Sequence, residues 1–270
     1  MYSKTETTCS NTSGILLSMV TAHIEELARA TDSARVSEEM LRYLDVCAKF
    51  HKYSLYNLWL ILMTKPNATA VAGFRKWQSL NRYVRKGEHG IPILAPVLVK
   101  KKGDPNAEEA VIGFRVVYVF DISQTQGEPL PPPPDWKSPE KNKELTDRLV
   151  QYAKSLGISV IEKELQGEIQ GVSKGGTIEL SETAGTLTLI HEIAHELMHQ
   201  GEDTSNSSQI REMEAEAVAY VVARYFGVDH LKCQNYTALH GVESTKILGH
   251  LERIRKTVID ILSGIEECYP

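Results

Sequence analysis

A run of four prolines, Pro131–Pro134, flanked by Gly127, Pro129 and Pro139, constrains this 270-residue chain more than any other feature. Proline fixes φ, lacks a backbone donor and pushes its predecessor out of the helical region. Gln126–Glu140 is therefore excluded from helix interiors and central strands. Prolines in series favour extended polyproline geometry, which makes a semi-rigid spacer. The segment predicts two domains, residues 1–125 and 141–270, joined by a proline-rich linker at 126–140. A proline-rich surface loop inside one domain is the alternative. No internal repeat of solenoid or propeller period is present.

Charge divides the chain in the same way. Residues 1–104 carry fifteen Lys and Arg against nine Asp and Glu, a net of +6, and the remainder carries fifteen against twenty-six, a net of −11. Lys65–Asp104 alone holds nine basic residues and two acidic ones. A basic half joined to an acidic half suggests modules with different partners, the basic one facing a polyanion. With 42% hydrophobic and 24% charged residues, wholesale disorder is excluded. The longest apolar stretches, Leu55–Met63 and Val218–Val222, are too short to span a bilayer, and Ile15–Val20 is too brief for a secretory signal. Cys9, Cys47, Cys233 and Cys268 form no CxxC pair, which argues against a disulfide scaffold or thiolate zinc site. The expectation is a cytoplasmic protein with no membrane partner.

Periodicity predicts helices over Ile15–Thr31, Ser37–Phe50 and Leu55–Met63, the last stopped by Pro66. Strand-like runs follow at Ala70–Phe74, Ile91–Val99 and Val111–Phe120, the last rich in Val and aromatics as a buried strand is. Beyond the prolines, a helix over Lys141–Leu156 precedes a strand beginning at Ser159–Ile161. Gly175-Gly176 then turns into Thr177–Leu180, expected as an edge strand on which a peptide substrate could lie. Helices over Glu182–Gln200, Ile210–Phe226 and Glu243–Gly264 complete an α+β chain.

The chemistry concentrates in His191, Glu192 and His195, an HExxH sequence on the Glu182–Gln200 helix. Residues four apart lie one turn above each other, so both imidazoles reach one ion, here expected to be Zn2+. Glu192, rotated by about 100°, sits beside the ion as a general base without ligating it. Leu187, Ile190, Ala194 and Leu197 make the flanks apolar; two solvated histidines on an ordinary amphipathic helix are the bland alternative. A catalytic zinc needs a third protein ligand. The pattern HExxHxxGxxH is excluded, because Met198 and Gly201 occupy its glycine and histidine positions. His199 is expected behind the ligands or in a structural role rather than as a ligand. Glu214 is the expected third ligand, because it shares an apolar face with Ala217, Val218 and Val221, where a carboxylate must be protonated, paired or metal-bound. Glu216 is the alternative, while Glu212 and Glu216 lie on a face expected to be solvated. Tyr220, Tyr225 and Tyr236 are candidates for steadying an oxyanion, with packing the competing role for each.

In the basic half, Phe74, Trp77 and Tyr83 alternate with Arg75, Lys76, Arg82, Arg85 and Lys86. Rings that stack on bases and cations that neutralise phosphates make Arg75, Lys76, Trp77, Arg82, Arg85 and Lys86 candidate nucleic-acid contacts. The competing reading is core aromatics beneath a solvated charged face. Lys100, Lys101 and Lys102 add charge nearby.

The stretches 53–62 (YSLYNLWLIL), 71–77 (VAGFRKW), 84–96 (VRKGEHGIPILAP) and 119–127 (VFDISQTQG) closely resemble the N-terminal domain of ArdC-type antirestriction proteins. The second half, with His191–His195 and Glu212–Tyr220, resembles their zincin metallopeptidase domain, itself similar to the ImmA/IrrE metallopeptidases. The resemblance implies an α+β single-stranded-DNA-binding domain followed by a zincin-like domain, a small sheet with an HExxH helix bundle. It also implies a gluzincin-like zinc peptidase acting on a peptide or protein, and protection of incoming mobile-element DNA from restriction. Two other functions remain open: a single-stranded-DNA-binding protein with an idle or structural metal site, and an ImmA-like peptidase that cleaves a specific repressor.

Overall fold

The structure is a computed structural model that describes residues 5–30, 33–99, 109–130, 143–201, 208–228 and 242–268. It mixes helices with small sheets and divides into two compact units. Most of the expected linker, 131–140, lies outside the described residues, as do Lys100–Lys102 and Tyr236. No described helix is long and apolar enough to cross a membrane.

The first unit gathers the chain up to Glu26 and the stretch from Tyr53 to the proline run. Helix α1, Thr5–Arg29, buries Leu16, Val20, Ile24 and Leu27 at helical spacing. After α2 (Ser33–Phe50) comes α3, Leu55–Thr64, which Ser54 caps by accepting from the Asn57 amide. The α3 helix is buried nearly all round through Leu58, Trp59, Leu60 and Ile61. It ends before Pro66, as a helix facing a proline must. Asn57 ties it to the sheet: its side chain donates to the Leu94 carbonyl at 2.9 Å and accepts from the Leu94 amide at 2.8 Å.

That sheet has the order β1-β4-β3, with β1 Val71–Gly73, β3 Ile91–Val99 and β4 Ala110–Asp121, all antiparallel. Between β1 and β3 lie α4 (Phe74–Ser79) and β2 (Arg82–Val84). The β2 strand pairs with β5 (Thr125–Gly127), reached from β4 through a single 3-10 turn, Ile122–Gln124. Helix α4 and the β2–β5 ribbon carry no visible sequence period because the helix has only six residues and each strand only three. The β4 strand departs from its expected burial: Ile112, Phe114 and Tyr118 are 66%, 49% and 58% exposed, so one face of the sheet presents apolar side chains to solvent.

The second unit contains Leu27–Lys52 and the chain beyond the prolines. The expected first domain, 1–125, places Leu27–Lys52 with the first half of the chain. Helix α2 packs against α7 (Ser208–Tyr225), burying Met40, Leu44 and Cys47, while Asp45 accepts from the Tyr220 hydroxyl at 2.9 Å and from Arg224 Nε at 3.0 Å. Helix α5, Lys143–Ser155, leads into a sheet ordered β6-β8-β7, with β6 Ser159–Glu162, β7 Gly171–Ser173 and β8 Thr177–Leu180. Thr177–Leu180 is thus the central strand, parallel to β6 and antiparallel to β7, and the edge position expected for it belongs to β7. Helix α6 (Thr186–His199), α7 and α8 (Ser244–Cys268) complete the unit.

Candidate metal centre and nucleic-acid surface

Helix α6 starts at Gly185 and buries Leu189, Ile190, Ile193 and Ala194, which turns His191, His195 and His199 to a second face, one above another. The Nε2 atoms of His191 and His195 lie 3.0 Å apart, with the rings edge to face. Small Ala215, Ala217 and Ala219, all buried on α7, allow it to lie close to α6. The neighbouring helix brings Glu212: Oε2 is 3.4 Å from His191 Nε2 and Oε1 is 3.4 Å from His195 Nε2. Two imidazoles and a carboxylate at these spacings fit one small divalent cation, because ligand atoms about 2.1 Å from a tetrahedral ion stand roughly 3.4 Å apart. The two histidines draw the Glu212 carboxyl far below the ordinary range.

Glu214, the expected third ligand, is not part of this cluster. Its carboxylate is wholly buried and faces the other way, receiving His199 Nε2 at 2.9 Å and His250 Nδ1 at 2.8 Å. Burial alone would raise its pKa, but the two histidines, with Arg253 nearby, bring it down to about 2. The rule that a buried acid needs a partner holds, and here His199 and His250 are partners. Glu212 was set aside as solvated, and its side chain is indeed 64% exposed, yet it sits at the mouth of the cleft where it reaches both rings. Glu216, the alternative, lies outside the cluster as well.

Glu192 stands beside the histidine pair, 7% exposed. Burial raises its pKa, partly countered by His191 and His195, and the Ser173 amide donates to it. The approach of β7 demands glycine at 171: a Cβ there would lie 2.8 Å from Glu192 Cγ and 2.8 Å from Thr188 Cγ2. One turn on, buried Glu196 clasps the β7–β8 hairpin. It accepts from Ser173 Oγ at 2.6 Å, Gly175 N at 2.9 Å and Gly176 N at 2.6 Å. Sequence reasoning missed this acid, although its spacing of four from Glu192 beside a Gly-Gly turn was a usable signal. These elements border an open cleft of about 730 Å3, lined by His191, Glu192, His195, Arg211 and Glu212 on the helices and by β7 opposite. Tyr220 and Tyr225 do not line it: the first donates to Asp45 and the second, at 3.4 Å, to Glu266.

The structure separates the six candidate nucleic-acid contacts. Trp77 is 2% exposed and donates Nε1–H to the Phe120 carbonyl at 2.8 Å, so it is a core residue fixing α4 to β4, not a stacking platform. Arg82 is likewise buried, donating to Thr125 Oγ1 at 2.9 Å and to the Gly127 and Glu128 carbonyls, and it locks the β2–β5 ribbon. Gly127 there has φ +134, and a Cβ would meet the Asn81 carbonyl at 2.2 Å. Arg85 is exposed but engaged by Glu88 and the Ser123 carbonyl. Arg75, Lys76 and Lys86 stand on the surface with Phe74 and Tyr83, 49% and 54% exposed. Phe74 touches Phe120 edge-on, and strand alternation puts Tyr118 and Phe114 on the same sheet face as Phe120. Phe114 and Tyr118 were overlooked because alternating aromatics in a strand read equally as core.

Fold and site together define a two-unit α+β protein with a histidine–carboxylate cluster between its HExxH helix and the next, and a basic, aromatic surface on its other unit. A family model for the N-terminal domain of anti-restriction factor ArdC matches residues 15–155, just over half the chain, and the chain belongs to this antirestriction family. The metal-free crystal structure of the antirestriction ArdC protein from the R388 plasmid shares the fold, with a TM-score of 0.51 at 17% identity over 80% of this chain and 86% of that one. A Mn(II)-bound structure of that protein aligns with a TM-score of 0.46 at 17% identity, over 83% and 97% of the two chains. The uncharacterized protein pXO2-81 of Bacillus anthracis is 25% identical over 242 residues, covering 71% of this chain. The chain spans about two-fifths of that protein's length, 41%.

Proposed function

We propose that this antirestriction-family chain joins a zinc-dependent, zincin-like peptidase unit to a unit that binds single-stranded DNA. The observation that carries the reading is the convergence of His191, His195 and Glu212 in an open cleft, with Glu192 seated beside them and outside the cluster. Three protein ligands leave a position open, as a catalytic rather than a structural ion requires, and two imidazoles with one carboxylate suit zinc. A bound zinc ion would supply Lewis acidity, polarising a carbonyl and making water a better nucleophile near neutral pH.

The chain's own residues do the rest. Glu192, held in a glycine-made cradle, accepts the proton of the attacking water and returns it to the leaving amine. A structural ion would not need that cradle. The β7 strand is an outer strand that lines the cleft, so an extended peptide can add along it, with the backbone supplying affinity. On the first unit, Arg75, Lys76 and Lys86 neutralise phosphates while Phe74, Tyr83, Phe114 and Tyr118 offer faces to unstacked bases.

Metal content of the full chain tests the reading, in wild type, Glu212→Ala and Glu192→Gln. One equivalent of zinc is expected in the wild type and Glu192→Gln and is lost in Glu212→Ala, with oligo-dT binding retained by all three. No stoichiometric metal in the wild type overturns the peptidase unit, and DNA binding lost together with the metal overturns the separation of functions. A peptide library cleaved by the wild type and spared by Glu192→Gln supports hydrolysis; identical profiles for the two exclude it.

A further inference from the structure

Among the described residues that line the cleft, Arg211 is the one Arg or Lys. It stands on α7 immediately before Glu212, so the turn that brings the carboxylate to the histidine pair brings a guanidinium to the same cleft. Arg211 is half-buried, and among the described residues no hydrogen bond or ion pair engages it. The carboxylates around it are placed differently. Glu212 faces His191 and His195 at 3.4 Å, and Glu192 accepts from the Ser173 amide. Glu168, in the connection between β6 and β7, is exposed.

A guanidinium keeps its charge at any working pH and presents its donors as a fork that matches a carboxylate. Arginines that serve this fold use the fork internally: Arg82 donates to Thr125 and the Gly127 and Glu128 carbonyls, and Arg85 pairs with Glu88. Arg211 does neither. Holding half of it out of water without a partner costs solvation, which a bound anion offsets. Its attraction for that anion is screened less than an exposed charge would be, whereas Glu168, out in solvent, contributes little to selection. The carboxylates that share the cleft weigh against a dianion such as a phosphate monoester and leave a monoanion as the better fit.

We propose that Arg211 is a specificity-determining residue that anchors a carboxylate of the peptide in the cleft, either an acidic side chain or the chain's C-terminus. The occupant rests on the peptidase reading above. An extended peptide along β7 turns successive side chains to opposite sides, so the preference for an acidic side chain falls at one position of a register and not at its immediate neighbours.

Fluorescent peptides of alanine and serine, each carrying one Glu, Gln or Lys and a free or amidated C-terminus, test this on the full chain with zinc present. Anisotropy in the Glu192→Gln background reads binding, and the wild type reads cleavage. A carboxylate, at the Glu side chain or the free C-terminus, is expected to tighten binding about tenfold over its amide counterpart, as a hydrogen bond between charged groups does. Arg211→Gln should close that gap, and Arg211→Glu should reverse it in favour of Lys, which a loss of fold would not do. Thermal unfolding and zinc content identify a damaged variant, and Arg211→Gln serves if Arg211→Glu is one. A gap that persists in amidated peptides assigns the site to an acidic side chain, and a gap that needs the free end assigns it to the C-terminus; each upholds the anchor. Equal binding of all carboxylate and amide peptides, no binding of any, or a gap that survives Arg211→Gln overturns it. An Arg211-dependent preference in a chain that cuts no peptide upholds the anchor and sinks hydrolysis, and cleavage without preference does the reverse.

Discussion

Asp121 ends β4 with no exposed surface, yet its carboxylate is fully used. Oδ1 accepts from the Thr69 and Ala70 amides at 2.7 and 3.1 Å, Oδ2 accepts from the Ser123 amide at 2.9 Å, and Gln124 returns the capping contact to the Asp121 amide. Burial alone would raise its pKa, but the Ser123, Thr69 and Ala70 donors outweigh it and the group titrates below an ordinary aspartate. A depressed carboxyl stabilises the fold above its unfolded pKa, and that contribution fades as pH falls through the folded value. Asp121→Asn turns an amide toward these donors and should cost about 1–3 kcal/mol at neutral pH, with the gap to wild type closing below roughly pH 4. Urea unfolding at a series of pH values checks this, and a gap constant with pH would show that the charge is not involved. Position 121 was legible only as part of a family-like stretch, because its role depends on amides about fifty residues earlier. Glu214 teaches the complementary lesson. Its burial was readable from helical spacing, but its partners were not, because His250 comes from a helix 36 residues away.

The elements that shape the cleft are short, and side chains rather than sheet length hold them in place. The three-residue β7 strand keeps its place against α6 through Glu196, which satisfies the amides of Gly175 and Gly176, both at positive φ. Glu196→Ala leaves those donors without a partner and should cost about 1–3 kcal/mol. Amide exchange at Ser173, Gly175 and Gly176 should quicken well before the helix amides do, and unchanged protection would mean the hairpin does not need the clasp. The long helices were readable because their periods run over several turns: α3 and α5–α8 lie within a few residues of their expected bounds. Short elements were harder. Strands β6 and β8 were found, but β7 and the order of pairing were not, since a four-residue strand carries no information about which side is paired. The same shortness hid α4, which turns Trp77 inward while leaving Arg75 and Lys76 outside.

Charge is distributed so that a chain of net −5 still carries a basic, aromatic surface on its first unit. Burial removes Trp77 and Arg82 from that surface and Glu88 occupies Arg85, so Arg75, Lys76 and Lys86 remain as candidate phosphate contacts from the original six. This was not legible beforehand: the sequence pattern of rings among cations is the same whether the rings face out or in. Three phosphate contacts on single-stranded DNA predict a log–log salt slope of about −2 for oligo-dT affinity, and steeper if Lys100–Lys102 join them. Lys76→Ala should reduce the slope by about 0.7. Tyr118→Ala should weaken binding by about 1–3 kcal/mol and leave the slope alone, because stacking releases no counterions. Fluorescence anisotropy across a salt series separates the two effects. A slope indifferent to Lys76 and an affinity indifferent to Tyr118 would place the DNA elsewhere on the chain. A Tyr118 effect alone would keep the sheet face and discard the α4 cations.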